Sequence, residues 1–171
     1  MIRAIVKLIT ALNSNAKKSQ VAAGFAWGML LGLVPAGNFF WIVLFLISFF
    51  FSHNNGSKNF FMALIKLLSF IITGENGPID NLGYWFLNLD AFNQLFTTMY
   101  NMPFVPFTKF NNTLVMGGLV AGIVLWLPVF IITMILVPLY RNHLGPKIRD
   151  SKIMKFIYKL PFLRVIDKVI S

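Results

Sequence analysis

The chain has 171 residues, of which 57% are hydrophobic and only 12% charged, with a mean hydropathy of +0.74. A soluble domain carries about 25% charged residues, so this composition excludes an ordinary water-facing surface and points to lipid. Net charge is +10 and there is no cysteine, which excludes disulfides, thiol nucleophiles and thiolate metal sites.

The placement of the charge argues against a nucleic-acid partner. Arg3, Lys7, Lys17 and Lys18 precede the first apolar block, eight basic residues follow from Arg141 onward, and only Lys58, Lys66 and Lys109 lie between. Basic ends around an apolar middle are what the positive-inside rule produces. Both ends are therefore expected on the cytoplasmic side, with an even number of crossings between them.

In chain order, residues 1–20 put Ile2, Ile5, Val6, Ile9 and Leu12 at helical spacing with Arg3 and Lys7 opposite, which predicts an interfacial helix on an anionic leaflet. Ala22 to Phe51 then runs thirty residues without a charge. A straight span needs about 20. Pro35 and Gly37 interrupt the run, and proline removes a backbone donor while glycine permits a sharp turn. The segment reads as two half-helices, either a re-entrant hairpin or a strongly bent span. Backbone freed at membrane depth must be satisfied by protein or by a wet cavity. Pro35, Gly37 and Asn38 are therefore the candidate functional break, with a plain kink as the competing reading. Asn38 either caps the second half-helix or coordinates a ligand headgroup.

Residues 52–58 read as a polar turn on the Asn55-Gly56 signal. Residues 59–73 read as a short membrane helix in which Lys66 either snorkels to an interface or is a buried functional charge. Residues 74–112 hold Glu75, Asp80 and Asp90, with aromatic residues interleaved among polar ones. They predict an outer interfacial segment with an amphipathic helix over 79–100. Residues 113–140 are uncharged and contain Pro128, giving one long kinked span or a second broken hairpin. From 147 to 171 a basic amphipathic tail follows, with Lys152, Lys155 and Lys159 on the face that would bind a membrane surface.

Gly24, Gly28 and Gly32 are spaced four apart, as are Gly118 and Gly122. That spacing predicts close helix packing. Gly24, Gly28 and Pro35 also find an echo in Gly117, Ala121 and Pro128, the kind of pattern an inverted repeat would leave. Chemistry-bearing motifs are missing. His53 and His143 are isolated, no nucleophile elbow or phosphate-binding loop appears, and no catalytic residue, metal ligand or cofactor site is assigned. The fold expected is all-α: a single polytopic helical membrane domain with Pro/Gly-broken hairpins and amphipathic helices at both ends.

The run from Ser19 to Asn38, with small residues at Gly24, Ala26, Gly28 and Gly32, then Pro35, Gly37 and the later Asn54-Asn55 turn, resembles a bacterial membrane family designated "domain of unknown function 2062". The stretch Thr108 to Gly117 resembles its longer, spirochaete-type subgroup. The resemblance covers most of residues 19–120. It implies no enzymatic activity. It implies an accessory or anchoring role in the bacterial inner membrane, beside a large periplasm-spanning envelope protein that carries phospholipid. The alternative is a small transporter or channel built on the broken hairpins. Membrane lipids are the expected partner in either case.

Overall fold

A computed structural model describes residues 16–72 and 76–144. The interfacial helix expected over 1–20 falls almost wholly outside these residues, and the tail with Lys152, Lys155 and Lys159 lies outside them entirely. The described chain is all-α, in the order α1 (Lys18–Leu33), α2 (Phe39–Ser48), α3 (Asn55–Ile72), α4 (Pro78–Leu87), a 3-10 turn (Asp90–Phe92), α5 (Asn93–Tyr100), a 3-10 turn (Val105–Thr108) and α6 (Thr113–Leu139). A π-helical turn, Tyr140–Leu144, ends the described chain.

Helix α1 is the core of the molecule. Its apolar residues run around the whole cylinder, and from Val21 to Val34 only Phe25 escapes full burial. A helix apolar on every side is one that neighbours surround. Helix α3 lies alongside it in parallel, with Gly24 against Ser57, Gly28 against Phe61 and Gly32 against Ile65. Helix α6 runs antiparallel on another face. Gly118 meets Leu33, Gly122 meets Leu30, Trp126 meets Trp27 edge-on, and the Arg141 guanidinium donates to the Ala16 carbonyl at 2.9 Å. The two ends of the described chain therefore lie together.

Helix α2 returns the chain from the far end of α1 to its beginning. The return closes where the Asn54 N–H donates to the Gln20 carbonyl at 2.8 Å and the Gln20 amide to Ser52 Oγ at 2.9 Å. Residues 22–51 are thus folded back on themselves, which is the hairpin alternative and not the bent span. Helix α6 is continuous through Pro128, so 113–140 is one helix and not a second hairpin.

Two boundaries differ from expectation. Residues Asn55 to Lys58 are the first turn of α3, because Asn54 caps it: its side-chain oxygen accepts from Ser57 N at 3.0 Å and from Ser57 Oγ at 3.1 Å. An Asn cap at this place turns a loop signal into a helix start. The helix expected over 79–100 is two helices, α4 and α5, parted at Asn88, whose backbone N–H bonds to Tyr84 and Trp85 carbonyls. Helix α4 crosses the start of α6 with Gly83 on Thr113 and Gly117 on Ile79, backbone against backbone. Asp80 accepts from the Thr113 hydroxyl and from Asn76 N at 3.2 Å, tying the beginnings of α4 and α6 together.

Candidate functional site

The candidate break spans Val34 to Asn38. Proline at 35 stops α1 because it offers no N–H to the preceding turn. Gly37 takes φ +91° with open space around it, a backbone conformation glycine adopts without strain. Asn38 is 5% exposed and starts α2 in the extended conformation of a cap. Its side-chain oxygen accepts from Trp41 N at 2.7 Å, and its amide donates to the Pro35 carbonyl at 2.8 Å.

The carbonyls at the end of a helix have no partner within it. Here three carbonyls at and just past the end of α1 have side-chain donors. Trp41 Nε1 donates to the Leu31 carbonyl at 2.9 Å, Lys66 Nζ to the Val34 carbonyl at 2.8 Å, and Asn38 to Pro35. Of the two roles read for Asn38, the structure supplies the cap. Lys66 reaches across from α3 to the carboxyl end of α1, where a cation also complements the helix dipole. Its role is to hold α1 to α3 at the break.

Sequence reasoning did not single out Lys58 or Trp41. Lys58 is buried to 1% exposure. Its ammonium donates to Ser48 Oγ at 3.3 Å and lies 5.0 Å from the Phe45 ring centroid and 4.6 Å from that of Phe49. Both rings belong to the end of the α2 hairpin arm, so this cation–π box pins that arm to α3. A usable signal was the Phe45, Phe49 pair at i, i+4 followed by a lysine across a short turn.

The packing glycines divide by partner. A Cβ would come within 2.5 Å of the Asn54 carbonyl oxygen at Gly24 and of the Lys58 carbonyl oxygen at Gly28; at Gly32 it would meet the Ile65 side chain. Gly118 and Gly122 face α1. All five therefore meet on the two flanks of α1. The glycine and proline echo is not structurally equivalent. Gly24 and Gly28 face a parallel partner, whereas Gly117 faces an antiparallel one. Pro35 follows the end of α1, whereas Pro128 lies inside α6.

Outside this core the outer faces of α2, α3 and α6 are apolar. Phe39, Ile42, Leu46 and Phe50 of the α2 arm are exposed, with Phe50 at 89%, as are Leu67 of α3 and Ile123, Leu127, Ile131 and Ile135 of α6. Thr113–His143 is long and apolar enough to cross a membrane, at a hydropathy of 2.7. Among the described residues no group of three His, Asp or Glu is placed to hold a metal ion.

An "Uncharacterized protein" of Treponema pallidum (strain Nichols) is 30% identical to this chain over 164 residues, covering 96% of the chain and 99% of that protein. No family model matches the chain. No solved structure matches it.

Proposed function

This chain belongs to the same family as the Treponema pallidum protein, and we propose that it is a polytopic helical protein of the bacterial cytoplasmic (inner) membrane with both ends in the cytoplasm. On this reading it is an anchoring subunit of a cell-envelope assembly without enzymatic activity of its own, presenting phospholipid to a large periplasm-spanning partner. The observation that carries the membrane part is that the helices around the apolar α1 are apolar on their outer faces too. Glycine-mediated packing fills the centre, while large apolar side chains of α2, α3 and α6 face outward. In water those faces would bury themselves, because apolar area is driven from it at about 25 cal/mol per Å². In lipid, close packing through small residues is what holds helices together.

The anchoring part is supported by the break. Unwound backbone at membrane depth is tolerated where protein satisfies it or where it lines a wet cavity, as in a transport path. The carbonyls of Leu31, Val34 and Pro35 are taken by Trp41, Lys66 and Asn38. The alternative of a small transporter or channel therefore draws no support from this segment. Affinity purification of the intact chain from its native membrane in mild detergent tests the anchoring reading. Stoichiometric recovery of a large envelope protein together with phospholipid is the expected result. Recovery of the chain alone in a defined oligomer would overturn the anchoring role.

A further inference from the structure

At the end of the molecule away from Ala16 and Arg141, α5 and the chain returning to α6 line an open pocket of about 420 Å³, within the size range of small-ligand sites. Its walls include the rings of Phe96, Tyr100 and Phe110 and the carboxamides of Asn93, Asn101 and Asn111. The rings are held. Phe110 is 5% exposed, and its centroid lies 6.0 Å from that of Phe96, which is in turn 6.2 Å from Phe86 and 5.9 Å from Phe92. Two of the amides are held as well. Asn93 donates its NH₂ to Asp90 at 3.3 Å, and Asn101 donates its own to the Thr97 carbonyl at 2.8 Å. The Thr97 hydroxyl is spent on the Asn93 carbonyl at 2.8 Å.

Asn93 and Asn101 each spend one N–H in this way, and their carboxamide oxygens remain as acceptors at the pocket. The ring faces are likewise negative. We propose that this pocket binds an alkylammonium group of the kind carried by choline and ethanolamine. A cation there is attracted by ring quadrupoles and by amide oxygens. An anion would meet repulsion from the ring faces. The local charge points the same way: residues 74–112 carry Glu75, Asp80 and Asp90 against Lys109 alone, in a chain whose net charge is +10.

The ammonium can come from a phospholipid headgroup or from a free amine. The lipid source rests on the membrane placement proposed above, and the free amine does not. The test titrates choline chloride into the full-length protein in mild detergent by calorimetry, using the wild type, Tyr100→Leu and Phe107→Leu. Tyr100 and Phe107 are both well exposed, and Phe107 is not among the lining residues. Saturable choline binding is expected, weakened roughly three- to tenfold by loss of the Tyr100 ring and unchanged in Phe107→Leu. Repeating the titration in phosphatidylcholine and in phosphatidylglycerol nanodiscs identifies the source. Competition by phosphatidylcholine assigns the site to a headgroup; equal choline binding in both lipids assigns it to a free amine. Absence of saturable binding to choline and to ethanolamine would overturn the proposal. So would equal loss in both variants, or saturable binding of glucose in place of choline.

Discussion

Replacing Lys66 by methionine keeps the length and apolar stem of the side chain and removes the ammonium that the Val34 carbonyl accepts. The carbonyl at the broken end of α1 is then left without that donor. An unsatisfied buried acceptor costs about 1–3 kcal/mol, so the Lys66→Met variant is expected to melt at a lower temperature in detergent. Asn38→Ala, which removes a cap, should cost about 1 kcal/mol, and the same melting experiment reads both. His53 gives a pH-dependent counterpart. Burial is the largest influence on its imidazole and holds its pKa below the ordinary value, and the nearby Lys58 charge acts in the same direction. The folded state therefore prefers neutral His53. Stability linked to it is fully present above the unfolded-state value of about 6.5 and is lost as pH falls through the lower folded value. Melting curves taken at stepwise lower pH should show this loss in the wild type and a flatter profile in His53→Asn.

At the scale of elements, the glycines decide which helices can touch. Gly83 and Gly117 let α4 and α6 meet backbone to backbone, and Gly117→Val would force them apart. Since Thr113 and Asp80 join the same two helices, α4 should undock as a unit. Limited proteolysis is expected to cut within 76–112 in this variant under conditions where the wild type resists. Much of this level was legible in the sequence. Proline and glycine at 35 and 37 mark the break, and four-residue glycine spacing marks the flanks of α1. What could not be read was which helix each glycine serves, because small-residue spacing carries no partner identity. The parallel pairing of α1 with α3 depends on α2 being a complete return, and that depends on Lys58 reaching Phe45, Phe49 and Ser48. The start of α3 was missed for a local reason. Asn-Gly is a turn signal, and here the preceding Asn54 makes it the first turn of a helix. The division between α4 and α5 was missed because the apolar spacing runs through Asn88 without a proline or glycine to mark it. The amide and ring pocket beyond α5 left no motif, since Asn93, Asn101 and Asn111 come together only through the fold.

For the whole molecule, the arrangement brings Ala16 and Arg141 to one end and leaves α4 and α5 with the start of α6. Helix α6, of 27 residues, measures about 40 Å, enough to cross the hydrocarbon core with tilt. Helix α2, of ten residues, measures only about 15 Å, too short to span the hydrocarbon core by itself. Among the described residues, Lys17, Lys18 and Arg141 lie at the joined ends, and Asp80 and Asp90 lie with α4 and α5 at the opposite end. This separation of charge along one axis is the electrostatic expectation for a chain whose two ends face the cytoplasm.

The absence of native cysteine makes site-directed labelling the most direct test of that arrangement. Single cysteines at Lys18, Asp90 and Asn142, probed with a membrane-impermeant maleimide on spheroplasts expressing the full chain, should give label at Asp90→Cys before permeabilisation. Lys18→Cys and Asn142→Cys should label only after it. Equal labelling of all three before permeabilisation, or opposite behaviour of the Lys18 and Asn142 positions, would contradict a polytopic membrane protein with both ends on the cytoplasmic side.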